Sequence, residues 1–558
     1  MKVSGFVLCA VLFAAFRSGG AELYSSWTNS YFGDVPTESG PTNDPDSDAE
    51  INLLEFAFGT DPRSGTSSVL SLIIPHVDTT NGVYAVEVLE QRGHQLGIQL
   101  DLDLSASLAN WVRPWWQRTV TTSLPSDPTN SVRELFTTVL SASNPPSGWF
   151  VRSHVQLLEP GPEVANYYVA TNGLDSNPGT LVQPFRSLIK AASVVTPGNL
   201  IYMRGGTYRT NAVVTFGTSG TAANPIRLRA YPGEQPILNF GSQTTSSSNR
   251  GINFNASWWQ VYGLEISFAG DNGIALSGSS NVIERCVFHH NRDTGLQISG
   301  SGGRVPTSNL VLNCDSYQNR DATGENADGF AAKSFPESGT WVGRYNTFIG
   351  CRSWENADDG WDLWQTTNTV VLSNCWTWGN GTNLVTAGDG NGFKLGGHNN
   401  ANVQWFAGPH LVTRCVSFKN FHNGFDQNNN AAGITLDQNT AWANGDRNFA
   451  MNHITNIFVT IHTVRNTISI GGGSLDQFYP GSILISNNWQ VVPAAGTNDW
   501  LSVDRAQALA PRRDDGGLPE VPLLRPVPTG SFVDMGADLG QPFEGSAPDL
   551  GAFETSAW

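Results

Sequence analysis

The chain is 558 residues long and carries a formal net charge of −17, although only 14% of its residues are charged. So acidic a surface repels nucleic acid and anionic membranes, and an acidic ligand would need a cation between itself and the protein. With 59 glycines and 18 tryptophans, the composition excludes a disordered or helix-rich chain and points to two or three β-rich, turn-rich domains.

The N-terminal stretch MKVSGFVLCAVLFAAF reads as a secretory signal, residues 1–21, with small residues suited to cleavage near Ala21. An extracellular or periplasmic protein is expected. No later segment is long and apolar enough to anchor the chain in a membrane. Residues 22–69 form an acidic linker in which Asp44, Asp46, Asp48, Asn52 and Glu55 take positions 1, 3, 5, 9 and 12 of a calcium-loop pattern. Ala49 stands where that loop wants glycine, so a merely solvated linker competes with the calcium reading. Residues 70–158 alternate in short strands such as YAVEVLEQ and predict a small β-sandwich-like accessory domain.

A repeat follows. CVFHHN, CDSYQN, CRSWEN, CWTWGN, CVSFKN and NTAWAN align, each ending in an asparagine, from Asn291 to Asn444. A second anchor, a small residue and then an apolar one, recurs at Gly251, Gly273, Gly295, Gly329, Gly360, Gly392, Gly424 and Asn448, at intervals of 22 to 34 residues. Short units with Gly or Asn at their turns predict a β-solenoid over residues 159–480, with residues 481–558 as a C-terminal extension packing on it. Cys286, Cys314, Cys351, Cys375 and Cys415 share one column and suit interior packing, since their spacing fits no metal site. The repeated asparagines predict a side-chain amide ladder and a left-handed backbone conformation.

Residues of one column stack about 4.8 Å apart, so the repeat converts into geometry. The column after each anchor is apolar (Ile252, Ile274, Leu296, Phe330, Trp361, Phe393, Phe425, Phe449) and must face inward. The next position then faces solvent, which places Asp362, Lys394 and Asp426 on an outward ridge beside Asp328, Asp358 and Asp359. Carboxylates at this density repel one another enough to raise a pKa unless a cation lies among them, and hard oxygen ligands select calcium. Lysine is scarce in this chain, so Lys394 in that column suggests a task arginine cannot do, namely losing its proton. An acidic solvated turn and a plain salt bridge are the competing structural readings. The asparagine-to-anchor turns lengthen before Gly329 and Gly392, as substrate-binding loops do.

These motifs, above all NADGFAAK, NADDGWDLW and GNGFKLGG, with YYVATNGLDSNPGT and IYMRGGTYR upstream, resemble the pectate lyases of polysaccharide lyase family 9 over roughly residues 166 to 555. The resemblance implies an all-β, right-handed parallel β-helix. It also implies Asp328, Asp358, Asp359 and Asp362 as ligands of catalytic calcium, and Lys394 as the base. The expected substrate is an acidic polysaccharide, polygalacturonate or rhamnogalacturonan, and a monomer is expected. The chemistry would be β-elimination: the lysine removes the C5 proton beside the uronate carboxylate and the C4 oxygen departs. Alkaline pH should favour it, since the flanking aspartates oppose loss of the lysine proton. Lys333, His398, Arg414, Lys419 and Asp426 are the candidates for substrate contacts. A hydrolase using paired aspartates and a non-catalytic polysaccharide-binding solenoid, with Trp354, Trp378, Phe418 and Trp442 in one column, remain as alternatives.

Overall fold

In a computed structural model, the chain divides into two compact units, residues 1–164 and 165–558. The structure describes residues 164–555 apart from 382–387, 399–406, 453–460, 514 and 542, together with the backbone of six strands between Leu72 and Leu157. The signal segment and the calcium-loop pattern at Asp44–Glu55 lie outside the described residues. In the first unit Leu72–Asp78, Val83–Gln91, Ser131–Val139 and Gln117–Thr121 form one antiparallel sheet, and Ile98–Ser105 pairs antiparallel with Phe150–Leu157.

The second unit is a right-handed parallel β-helix. Its three sheets hold 10, 12 and 10 strands. The first sheet runs from Val214–Phe216 to Gln477–Phe478, the second from Tyr167–Val169 to Ile483–Ile485, and the third from Gly206–Arg209 to Ile468–Ile470. Each coil contributes one strand to each sheet and pairs in register with the coil on either side. The first sheet thus aligns Asn253, Ala275, Gln297, Ala331, Asp362, Lys394 and Asp426 in one row.

Inside, the apolar column is fully buried, from Ile252 to Phe449. Its rings Trp361, Phe393, Phe425 and Phe449 stack with centroids 4.9 Å apart, one strand spacing. Each such side chain contributes about 1.5–3 kcal/mol by leaving water. The five cysteines are buried free thiols. Asn291, Asn319, Asn356, Asn380, Asn420 and Asn444 form the expected ladder, each side-chain NH₂ donating to the amide oxygen of the next rung over 2.8 to 3.0 Å. The asparagines are not the left-handed residues, however. That conformation falls one position earlier, at Gln318 (φ 52°), Glu355 (φ 55°) and Lys419 (φ 52°), because the corner must turn before the amide can point inward along the stack.

The anchor glycines answer a close approach instead. A Cβ at Gly360 would collide with the Thr377 hydroxyl and the Gly392 carbonyl of the next coil. The serines of that hydroxyl column, Ser316, Ser353 and Ser417, donate to anchor-glycine carbonyls and accept from ladder asparagines, which ties two columns together.

One end of the stack is covered by a short helix, Leu188–Val194, capped by the Ser187 hydroxyl and burying Leu188, Ala191 and Ala192. Along the third sheet, Trp354, Trp378, Phe418 and Trp442 stack outside the coil beneath Trp500, Leu523, Leu524 and Phe532 of the C-terminal segment. Among the described residues no helix is long and apolar enough to cross a membrane.

Candidate active site

The acidic cluster forms where the turn from the third sheet enters the first. There the residue before the anchor glycine sits at a fixed corner, and from Asp328 to Asn423 its side-chain oxygen accepts the backbone N–H of the next coil. Asp328 accepts from Asp359 at 3.3 Å and Asp359 from Asn391 at 2.7 Å. Each carboxylate is left with a second oxygen. That of Asp328 accepts from the Thr294 hydroxyl (3.0 Å) and pairs with Lys333 Nζ (2.7 Å). That of Asp359 lies 3.2 Å from Lys394 Nζ and accepts no well-formed hydrogen bond, although it is buried.

Asp362 Oδ2 lies 3.0 Å from Lys333 Nζ and 3.7 Å from Lys394 Nζ. The Lys394 ammonium is also 2.7 Å from Asp389. Two groups of three carboxylates each bring one oxygen per residue within 4.8 Å: Asp328, Asp359 and Asp362, and Asp358, Asp359 and Asp389. Asp359 belongs to both. Asp358 faces the second group, its carboxylate accepting from the Asp389 N–H at 2.6 Å.

The ridge is outside the coil but not in solvent, contrary to the expectation from strand alternation. Asp362 is 3% exposed and Lys394 6%. The corner is covered by the turn before Gly329 and by Gly388, which packs between Asp358 and Gly324. From the other side Trp364 lies 5.7 Å from Lys394 Nζ and stacks on His398.

Burial first, and then the neighbouring carboxylates, push the Asp358 pKa up to about 10. Burial likewise lifts Asp359 well above the usual carboxylate range, against the pull of Lys394, and lifts Asp328 against that of Lys333. For Asp362, burial is outweighed by the two ammonium groups and the carboxylate stays ionised. Burial would lower both lysines, but the surrounding aspartates overcome it and hold both as ammonium.

A hard divalent cation fits this donor set. Asp359 offers an unsatisfied buried oxygen, all ligand atoms are carboxylate oxygens, and two buried ammonium groups already stand where positive charge is wanted.

The structure brings together Asp328, Asp358, Asp359, Asp362, Lys394 and Lys333. Asp426, beside Lys394 in register, is held by Asn428 N–H and the Asn423 amide, and His398 flanks the site through Trp364. Arg414 and Lys419 are not brought in. They occupy corners at the two ends of Val416–Phe418 in the third sheet, where Arg414 donates to Gln438 and Lys419 lies 4.5 Å over Trp442. Asp389 was missed because it lies in an inserted turn that no repeat column covers. Its signal was proximity in sequence to Lys394, within GDGNGFK.

Residues 167–466 match the family model described as the Pel9A-like, right-handed β-helix region. The chain is 37% identical to pectate lyase L of Dickeya chrysanthemi over 405 residues, covering 70% of this chain and 90% of that relative. Among solved structures, pectate lyase Pel9A superposes with a TM-score of 0.61 at 37% identity, over 70% of this chain and 96% of the other. A rhamnogalacturonan lyase superposes with a TM-score of 0.56 at 26% identity, over 65% and 96%.

Proposed function

The chain belongs to the Pel9A-like right-handed β-helix family and is a polysaccharide lyase; from that premise we propose that it is secreted and cleaves pectate by β-elimination, with calcium as cofactor and Lys394 as base. The observation that carries the reading is the Lys394 amine, outside the coil and within 3.7 Å of three carboxylates, Asp359 and Asp362 on the adjacent coil and Asp389 in the turn entering its own.

Asp328, Asp358, Asp359 and Asp362 would hold the cation, which supplies charge neutralisation for the substrate carboxylate and for the negative charge that develops beside it as the C5 proton leaves. Lys394 takes that proton on Nζ and departure of the C4 oxygen completes the elimination, with no water consumed. The aspartates around Lys394 oppose the neutral amine, so turnover needs alkaline pH. Asp389, with its side chain 59% exposed and in contact with Nζ, gives the captured proton a way out to solvent. Trp364 and His398 shield the amine on the opposite side.

Lys333 is the rival base, since it sits equally deep. It contacts Asp328 and Asp362 but, among the described residues, no exposed carboxylate through which to release a proton. The rhamnogalacturonan lyase likeness keeps that polymer as the second substrate.

The test is absorbance of the unsaturated product on polygalacturonate and on rhamnogalacturonan, with calcium or a chelator, for wild type, Lys394→Ala and Lys333→Ala. Chelator-resistant turnover would sink the metal assignment, and near-normal turnover by Lys394→Ala would transfer the base role elsewhere.

A further inference from the structure

The row that carries Asp362 and Lys394 continues up the first sheet through Ala331, Gln297, Ala275 and Asn253. These five steps from Lys394 to Asn253 span about 24 Å at one strand spacing each. Over the upstream end lies a cleft of about 280 Å³, floored by Asn253, Ala275 and Gln297 and walled by Arg250 on one side and Phe335 on the other.

Its polar groups are not consumed by the fold. The side-chain amides of Asn253 and Gln297 make no hydrogen bond to described residues. Arg250 gives only Nε to Asp271, at 3.0 Å, which leaves its two terminal nitrogens without a partner among the described residues. Elsewhere in this molecule buried amides are consumed by continuous ladders; Asn253 and Gln297 are half-buried along the cleft floor and stay open to a ligand. Alanines alternate with them, which opens room above every second rung.

Arg250 also occupies the corner column of Asp328 and Asp359, four rungs upstream of Asp359. An acidic sugar chain lying on this row would therefore place one carboxylate at the aspartate cage and a later one against a guanidinium in the same column. The downstream direction is less suited to a polyanion. There the row continues with Asp426, and the equivalent Arg447 gives a terminal nitrogen to Asp446, whereas Arg250 gives Asp271 only Nε.

We propose that Arg250, Gln297 and Asn253 form distal subsites, so that the enzyme holds at least five consecutive units of an acidic polysaccharide, running from Lys394 toward the N-terminal coils. The amides would bind hydroxyls of alternate sugars, and the Phe335 ring, 37% exposed, would cover a sugar face. Arg250 is then a specificity residue for long, de-esterified substrate, because a methyl ester removes the charge it recognises. This rests on the lyase reading above.

The experiment compares tri- and hexagalacturonate. Wild type should show kcat/KM rising with chain length to about six units. Arg250→Gln should lower kcat/KM on the hexamer about tenfold through KM, as expected for one charge-assisted hydrogen bond, and leave the trimer unchanged. Gln297→Ala should give a smaller loss with the same length dependence. Equal losses on both substrates would mean that Arg250 acts only through Asp271 and the fold, and no loss on the hexamer would overturn the proposal outright. Calorimetric binding of the same oligomers to Lys394→Ala, with and without Arg250→Gln, reads the cleft without turnover. Length-dependent binding together with no unsaturated product from wild type would overturn the lyase reading and keep the cleft; wild-type turnover that is indifferent to length would do the reverse.

Discussion

Four successive coils place Asp328, Asp359, Asn391 and Asn423 at the same corner, and all four do the same backbone work. Each accepts the N–H of the following coil, at Asp359, Asn391, Asn423 and Arg447. An amide oxygen therefore suffices for the fold, and the two carboxylates add only charge. That charge is costly: burial and mutual repulsion hold Asp359 and Asp358 far above the usual carboxylate range. The acidic coils carry a burden that the neutral coils below them show to be unnecessary for stacking; the two lysines offset part of it, and the cation proposed above would offset the rest.

The sharpest way to test the difference is in the adjoining row, where alanine already occupies the rungs at 331 and 450. Lys394→Ala copies those rungs and should lower kcat about 10²- to 10⁴-fold, the usual contribution of a general base, read by product absorbance at saturating polygalacturonate. Without calcium its thermal midpoint should fall as well, because buried Asp359 and Asp362 lose an ammonium partner. A variant retaining more than a tenth of wild-type turnover would end the base assignment.

Asp359→Asn turns an acidic coil into a copy of its neighbour. The 2.7 Å bond to Asn391 N–H survives on the amide oxygen, so the fold should persist. An acid whose folded pKa is raised destabilises the protein above its unfolded pKa. In chelator at neutral pH the variant should therefore match or exceed wild type in thermal midpoint. Calcium should raise the midpoint of wild type and not of the variant, while turnover falls about a hundredfold or more. A calcium-induced shift of wild-type size in the variant would break the comparison.

Much of this was legible because parallel, in-register stacking turns sequence period into spatial columns. The inward aromatics, the cysteine column, the asparagine ladder and the alignment of Asp362 with Lys394 all follow from that one rule. What lay off the register was not legible. Asp389 and the loops that bury Lys394 are insertions, and alternation assigns a side chain to the outside of the coil without saying what covers it. The helix Leu188–Val194 is too short for a helical apolar period to stand out. Arg414 and Lys419 were close to the site in the repeat but not in space, because each coil has three corners and sequence distance does not say which corner a turn residue serves.

Within the asparagine ladder the contrast is between an amide rung and none. Asn356→Ala removes the acceptor of Asn319 N–H and Nδ2, and with them the donor to Asn380, all buried. It should cost about 1–3 kcal/mol by stranding those groups, measured by urea unfolding, with KM unchanged.

The second sheet supplies a version of the same contrast that pH can tune. One of its columns carries amide rungs at Asn281, Asn309 and Asn346 and then alternates Val370 and Ile434 with imidazole rungs at His410 and His462. His410 Nδ1 accepts from Val370 N–H and His462 Nδ1 from Ile434 N–H, each at 3.2 Å. An imidazole can accept there only while neutral, and burial lowers His410 to about 3 and His462 to about 4. Because these folded pKa values lie below the unfolded value near 6.5, the unfolded chain binds more protons as pH falls. The stability from both rungs is therefore complete above about pH 6.5 and is lost progressively toward pH 4 and then 3, a loss on the order of a few kcal/mol. His410→Asn restores the rung used at Asn346 and should flatten that part of the unfolding free energy against pH while leaving the neutral value within about 1 kcal/mol. An unchanged acid slope in His410→Asn would show that the imidazole rung is not what titrates, and that carboxylates such as Asp315, paired with Arg352 and Arg512, govern acid unfolding instead.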